Sequence, residues 1–336
     1  MNEKSDVLNC PFLLKPFGKD FIWGGNRLND DFSKNINIYP LAETWECSTH
    51  PNGPSIVASG FFRGDELSYV LKKNPNFLGT HPKIINGQIP VLIKFIDANK
   101  DLSVQVHPSD VFAMEHENGS LGKTEMWYVV DASNDASIIY GFHHDISENQ
   151  LRKSLVDGSI ERYMNKVKVK KNDVFFIPAG TVHAIGRGCL MAEIQESSDL
   201  TYRLYDYKRI GKDGKRRELH VEKALSVANL SAMNTPIQPM RIIRFQPGKA
   251  IESLAMCEYF CVEKMIINTE RIREMADFRT NSLSFQVLLC YSGCGVIFDN
   301  LSHESINFFK GDCIFVPANS VPLKIHGKAE FLKVRC

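Results

Sequence analysis

Long hydrophobic runs are missing from this chain. Nowhere do about 18 apolar residues follow one another, so no membrane-spanning helix and no membrane partner are expected. The stretch from Met1 to Cys10 has no apolar core of signal-peptide length, so no leader is expected there. An excess of one charge is missing as well: the net charge is +1, which leaves no global field to draw the chain to nucleic acid or an anionic membrane. No CxxC pair occurs among the nine cysteines. Cys257/Cys261 and Cys290/Cys294 are each spaced by four, but Cys294 lies in Ser-Gly-Cys-Gly, read as a turn, and no histidine is suitably paired. Scattered thiols in odd number read as free, buried or half-buried cysteine, since free Cys packs as a small hydrophobe. Free thiols in that number suggest a reducing compartment, hence the cytoplasm.

What is present is length enough for two domains, 336 residues with 43% hydrophobic. The dominant texture is β. Short runs rich in Val, Ile, Phe and Tyr recur, as in Val91 to Phe95, Leu102 to Val106, Met126 to Val130, Ser137 to Tyr140, Val174 to Ile177 and Gln286 to Cys290. Such spacing points to a sandwich or barrel. Two stretches read as helical. One lies at about 145–165, where Ser147 and Gln150 fit a capping box and Leu151 with Leu155 supply an apolar face. The other is Leu219 to Leu230, with Val221, Ala224, Leu225 and Ala228 on one face. The uncharged, proline-containing connector Ser231 to Pro239 follows, and the domain boundary is placed there, giving domains at 1–230 and 240–336.

The chain repeats itself. Lys171-Asn-Asp173-Val-Phe-Phe-Ile-Pro178-Ala179-Gly-Thr-Val-His183 aligns without gaps on Lys310-Gly-Asp312-Cys-Ile-Phe-Val-Pro317-Ala318-Asn-Ser-Val-Pro322. Each copy reads as a turn, a buried strand and a Pro-Ala turn, which implies two related β-barrels. The last position differs. His183 in the first copy is Pro322 in the second, and proline cannot bind a metal, so only the first barrel is expected to carry one.

In Leu102-Ser103-Val104-Gln105-Val106-His107-Pro108 the period of two is plain: Ser103, Gln105 and His107 share one face, with Leu102, Val104 and Val106 on the other. That polar face fits a solvent-facing edge or the lining of a cavity equally well. His183 follows a Pro-Ala-Gly turn that can fix an imidazole at a strand start, and Glu125 sits just before an apolar strand. A histidine closing such a turn resembles the second motif of cupin barrels, in which it is a metal ligand.

A more specific resemblance rests on stretches that occur in order. They are Pro90-Val-Leu-Ile-Lys94-Phe-Ile-Asp-Ala, the segment Leu102 to Pro108, Gly122-Lys123-Thr-Glu125-Met-Trp127-Tyr, Ile177-Pro-Ala-Gly-Thr-Val-His183-Ala-Ile and Gln195-Glu-Ser-Ser-Asp199-Leu-Thr-Tyr-Arg203. This series resembles type I mannose-6-phosphate isomerase in its shorter bacterial form. Ile22-Trp-Gly-Gly25 and Glu43-Thr-Trp-Glu46-Cys-Ser48 are similar to that family too. The resemblance covers nearly the whole chain, is most specific from about 90 to 220, and is thin beyond 235. It implies a mainly β fold of two cupin-like jelly-roll barrels, with the helical segment inserted in the first and a degenerate second. It also implies one zinc ion held by Gln105, His107, Glu125 and His183, an active-site Arg203, and pocket positions at Lys94, Ser103, Lys123, Glu193 and Asp199. Two histidines, a carboxylate and a neutral carbonyl suit zinc, and also Mn, Fe or Co.

The implied reaction, moving a hydrogen between C1 and C2 of a sugar phosphate, needs a base, stabilisation of an oxyanion and a phosphate clamp. Met191 to Gln195 alternates, so Glu193 facing inward is a candidate base with its pKa raised by burial, or else the partner of a nearby cation. Lys123, desolvated beside a metal, is the rival base. Thr201, Arg203 and Tyr205 alternate to one face, with Tyr202 and Leu204 behind; Arg203 can clamp phosphate or neutralise an enediolate. Lys94, in an apolar strand, is either paired or snorkelling from an edge. Ser103 can donate to a phosphate oxygen. The basic run Lys208 to Arg217 holds Asp213-Gly214, a hairpin turn, so its charges read as a solvated tip that at most adds positive potential near the pocket mouth, with no nucleic acid expected. Competing readings are an iron cupin oxygenase and a non-catalytic or differently specific sugar-phosphate-binding cupin.

Overall fold

The computed structural model describes residues 9–84, 88–211, 213–233, 241–301 and 303–336. The chain is mainly β, and its strands fall into three sheets whose ladders are antiparallel. A six-stranded sheet runs in the order 174–177, 125–132, 189–196, 91–98, 43–47 and 17–19. A five-stranded sheet runs 202–205, 104–106, 183–185, 137–142 and 164–168. The remaining strands form a ten-stranded sheet. To this C-terminal sheet the N-terminal strand Phe12–Lys15 adds itself, pairing with Cys313–Val316.

The six-stranded sheet is buried on both faces, which is why its strands read as near-continuous apolar runs. From Val91–Ala98, the side chains of Val91, Ile93 and Phe95 pack with Val287, Leu289, Phe315 and Leu332 of the ten-stranded sheet. Ile96 and Ala98 turn the other way and pack with Ile138, Tyr140 and Ile185 of the five-stranded sheet. Met126/Tyr128 and Trp127/Val129 divide between the same two layers. The inner face is apolar at one end, through Ile96, Val129 and Met191, and polar at the other, through Lys94, Glu125 and Glu193. That polar end is the floor of the candidate site.

The outer face of the five-stranded sheet is not solvated. Val104, Val106, Val182, Ala184, Tyr202 and Leu204 pack there with Leu151 and Ala224 from two helices. The first, Glu148–Asp157, carries the expected capping box at Ser147 and Gln150 and ends on Gly158 at φ 82. Ser147→Ala is expected to cost about 1 kcal/mol in urea unfolding, since the Gln150 amide loses its acceptor. The second helix, Val221–Val227, is shorter than its periodicity suggests because Ala228 turns extended. Of the connector chosen as the domain boundary, residues 234–239 lie outside the described residues. No helix among the described residues is long and apolar enough to cross a membrane.

The two copies of the repeat match in backbone detail. Asn172 and Gly311 are both left-handed (φ 73 and 104), as are Gly180 and Asn319 (φ 86 and 51). Asp173 and Asp312 each accept from the backbone N–H three residues back, on Lys170 and Phe309. One local expectation fails. The stretch Ser292 to Gly295 is not a turn but part of the strand Gln286–Asp299, with a bulge between Cys290 and Ser292. Its glycines allow close pairing with Leu323–Arg335: a Cβ on Gly293 would stand 2.0 Å from the Lys328 carbonyl oxygen. All nine cysteines are free thiols.

Candidate active site

Strand register assembles the site. Across the six-stranded sheet, Trp45, Lys94, Glu193 and Trp127 stand in one row, and Gln195 pairs with Glu125 in the next. Across the five-stranded sheet, Arg203, Gln105 and His183 stand in one row. Ser103 and Gln105 of the inward face line a cavity, with His107 buried on the same face, because helices cover the other face.

His107, Glu125 and His183 are buried, with ligand atoms all within 4.8 Å of one another. Each imidazole places Nδ1 2.8 Å from a backbone carbonyl, His107 against Leu200 and His183 against Thr181. A carbonyl only accepts, so Nδ1 carries the hydrogen and Nε2 presents a bare lone pair. The Pro178–Gly180 turn helps set both rings, since the Gly180 N–H donates to the His107 carbonyl. Glu125 faces both lone pairs: Oε1 is 3.2 Å from His183 Nε2 and Oε2 is 3.6 Å from His107 Nε2. Oε1 is buried without a hydrogen-bond partner among the described residues. Burial and the Lys123 charge push His183 down to about 4 and His107 well below its usual value, so both rings are neutral near pH 7. Lone pairs aimed at one another repel, and a compact cation with nitrogen and oxygen preferences resolves that conflict. Zinc fits this donor set. Gln105 sits beside it, with Nε2 3.4 Å from His183 Nε2; a half-turn of the amide presents Oε1 there instead.

In front of these groups lies a cavity of about 330 Å³, within the range of small-molecule sites. Lys94, Ser103, Gln105, Lys123, Glu193, Asp199 and Arg203 all line it. Lys123 bridges the two zones: its Nζ is 2.5 Å from Glu125 Oε2, 3.0 Å from His107 Nε2 and 3.9 Å from Glu193 Oε1. Lys94 does not snorkel. It lies 3.1 Å from Glu193 and 3.8 Å from Glu43, and although burial opposes its charge, those carboxylates raise its pKa.

Of the two readings left open for Glu193, the structure has it paired with cations rather than carrying a raised pKa. Burial alone would push it up, but the Lys123 and Lys94 ammoniums, with the Trp127 indole N–H at 2.9 Å, hold it down at about 2. Glu125 moves the other way, raised by burial and by the Glu193 carboxylate. Asp199 sits at the rim, 39% exposed, accepting from Asn52 at 2.6 Å with His50 3.6 Å away. Arg203 donates to the Glu218 carbonyl through Nη1, while its buried Nε has no hydrogen-bond partner among the described residues. The expected inward alternation of Thr201, Arg203 and Tyr205 holds for the first two only. A bulge between Arg203 and Tyr205 turns Tyr205 into the outer core, where its hydroxyl reaches Glu161 at 3.0 Å.

Sequence reasoning missed Lys19, Glu43, Trp45 and Arg217 in the cavity wall. Trp45 and Glu43 lay within a stretch already noted as family-like, and that was the available signal. Arg217 belongs to the basic run. The run does form a hairpin, with Gly211 donating to the Lys215 carbonyl, but it is not wholly solvated: Arg209 and Arg217 both clamp Asp206. Lys212 lies outside the described residues.

Comparison with known proteins places this geometry. The family model of the phosphomannose isomerase type I catalytic domain matches residues 12–119. A probable mannose-6-phosphate isomerase of Bacillus subtilis strain 168 is 36% identical over 96% of this chain and 98% of its own length. The crystal structure of mannose 6-phosphate isomerase from Bacillus subtilis superposes with a TM-score of 0.87 at 33% identity, covering 97% of this chain and 99% of that one. A zinc-bound mannose 6-phosphate isomerase gives a TM-score of 0.72 over 96% of this chain and 98% of its own, and at 14% identity it shows the fold alone. A relative 36% identical over 96% of this chain shows the family, so this chain belongs to the type I mannose-6-phosphate isomerases and is an enzyme of that family.

Proposed function

We propose that this chain is a zinc-dependent aldose–ketose isomerase that interconverts D-mannose 6-phosphate and D-fructose 6-phosphate through an enediol. The observation that carries the reading is the meeting of two imidazole lone pairs and one carboxylate behind a cavity lined by Lys94, Lys123, Arg203 and Arg217. Gln105, His107, Glu125 and His183 would hold one zinc per chain. When bound, zinc supplies a Lewis acid toward the sugar oxygens.

The chain's own groups divide the remaining work. Arg203 and Arg217, from the cavity wall, attract the phosphate dianion, and the guanidinium fork suits it bidentately. Ser103, Lys94 and Asp199 bind the sugar phosphate from floor and rim. Of the two candidate bases we favour Lys123: its ammonium is held by Glu125 at 2.5 Å, and its nitrogen would be freed from that carboxylate once Glu125 binds zinc. A carboxylate held at about 2 is a weak proton acceptor, so Glu193 acts by fixing Lys123 and Lys94 in place. Lys123→Met is expected to lower kcat about 10²- to 10⁴-fold, the span of one acid–base group, with Glu193→Gln less damaging. Equal losses in the two variants would count against this division.

The same reading extends to the rest of the chain. The repeat supports two cupin-like jelly-roll barrels, a catalytic one at 1–230 with its helical insert and a second at 240–336 without a metal. Nine free thiols support residence in the cytoplasm. A coupled assay with mannose 6-phosphate, run with and without a chelator, tests the function. Turnover that a chelator abolishes and zinc restores is expected, and metal-replete protein without turnover would overturn it.

A further inference from the structure

The loop that delivers Lys123 and Glu125 to the site is gripped from behind by groups that the proposed chemistry does not use. The Gly122 N–H donates to Asp110 Oδ1 at 2.8 Å, and the Thr124 N–H donates to Glu196 Oε1 at 2.6 Å. Between them the Lys123 N–H donates to the Pro108 carbonyl at 3.0 Å, and the Glu196 N–H returns a bond to the Thr124 carbonyl at 3.1 Å. The fit is close: a Cβ on Gly122 would stand 2.4 Å from the Asp110 nitrogen. The two carboxyl groups are also within hydrogen-bond reach of each other, although Glu196 is only 2% exposed. From the C-terminal half, the Tyr259 hydroxyl reaches Asp110. Lys83 steadies that tyrosine, with Nζ 4.4 Å from its ring centre and 2.9 Å from Glu258.

We infer that Glu196 and Asp110, braced by Tyr259, are positioning residues for isomerisation: a carboxyl pair that aims Lys123 and Glu125 by holding the two amides on either side of Lys123. This rests on the function proposed above. Two backbone N–H donors are fixed by side chains rather than by a strand ladder, so the aim of the loop depends on that pair. It also gives the C-terminal half a task, since Tyr259 is its contact with the clamp. The groups facing Glu196 are Asp110, Lys83, Cys257 and Tyr259, with Glu258 beside Asp110. Burial and the Asp110 charge push Glu196 up to about 8, so it carries a proton at neutral pH and can bond its partner. Above that value both carboxyls are ionised and repel.

The test compares parent, Glu196→Ala, Glu196→Gln and Tyr259→Phe. It reads bound zinc, amide hydrogen exchange at Gly122 and Thr124, and kcat and KM for mannose 6-phosphate across pH 6–10. Glu196→Ala is expected to speed exchange at Thr124 at least tenfold and to lower kcat about tenfold with KM and bound zinc little changed. Glu196→Gln, which keeps the carbonyl acceptor and cannot ionise, should restore both and flatten the alkaline fall of kcat near pH 8. Tyr259→Phe should give an intermediate loss. Unchanged exchange and kcat in Glu196→Ala, or an alkaline limb that persists in Glu196→Gln, would overturn the inference. Should Glu196→Ala fail to fold, the Gln and Phe variants decide. The exchange measurement needs no turnover, so failure of the proposed reaction would be seen separately, as inactive parent protein with an intact clamp.

Discussion

Replacing His183 by alanine is expected to lower turnover on the order of 10³-fold and to strip bound metal. A Lewis acid supplies several kcal/mol of transition-state stabilisation, and each 1.36 kcal/mol is tenfold in rate. The loss should be comparable to that of Lys123→Met and exceed that of the other cavity-wall cations, because His183 is fixed three ways. Its backbone pairs with Gln105 and Tyr140, its Nδ1 is held by the Thr181 carbonyl, and its ring lies edge-on to Trp127 at 5.4 Å. None of these constraints moves to compensate for the missing ring. Nor is Glu125 relieved, since its buried Oε1, which His183 faces at 3.2 Å, has no hydrogen-bond partner among the described residues. Metal analysis and steady-state kinetics check the prediction, with Gln105→Ala as the comparison. That variant removes a neutral donor from a site that retains both imidazoles and the carboxylate, so a smaller loss is expected. Full activity in His183→Ala would remove the metal centre from the mechanism.

The ligand set and the pocket residues come from the family resemblance; what the chain's own pattern can add is a matter of range. The alternation of Gln105 and His107, the Pro-Ala-Gly turn before His183 and the repeat are local patterns, and backbone sterics tie local pattern to geometry. The left-handed angles at Asn172 and Gly311 show the two copies meeting the same steric demand with different residues. What escaped the sequence depends on register between distant strands. That Glu193 pairs with a cation is one of the readings its strand leaves open, but which cations it meets follows from pairing 189–196 with both 91–98 and 125–132, and nothing near Glu193 in the chain announces it. Arg217 enters the cavity only because a hairpin folds back on Asp206, and Tyr205 leaves it because of one bulge. A single inserted residue reverses every later side chain on a strand, so strict alternation misplaces residues beyond it.

The same argument picks out Lys34, which no periodicity marks. It sits between Ser33 and Asn35, both left-handed at φ 50 and 52, in a segment without regular structure. Yet its side chain is 4% exposed and reaches Glu46, 0% exposed, at 2.6 Å, while also donating to the Gly311 carbonyl. Thr44 donates its hydroxyl to the other oxygen of Glu46 at 2.5 Å. One ammonium thus ties an irregular N-terminal segment to the 43–47 strand of the catalytic sheet and to the repeated turn of the C-terminal half. Breaking a buried pair from one side leaves an uncompensated charge, so Lys34→Met is expected to destabilise the chain by about 3–5 kcal/mol. Adding Glu46→Leu should recover most of that loss, because the apolar pair carries no desolvation cost. The penalty also has a pH direction. Burial raises the Glu46 carboxyl above its usual value against the pull of Lys34, so its folded form favours the proton and stability falls as pH rises through that raised value. Without Lys34 the carboxyl rises further. The single variant should therefore lose less at pH 5.5, where the lone group takes up a proton, than at pH 8, where it must hold a buried charge. Urea-unfolding midpoints of parent, single and double variants at the two pH values measure this. A Lys34→Met penalty that does not change with pH would mean that lost packing over the Phe95 ring, 5.2 Å from Nζ, outweighs the lost charge.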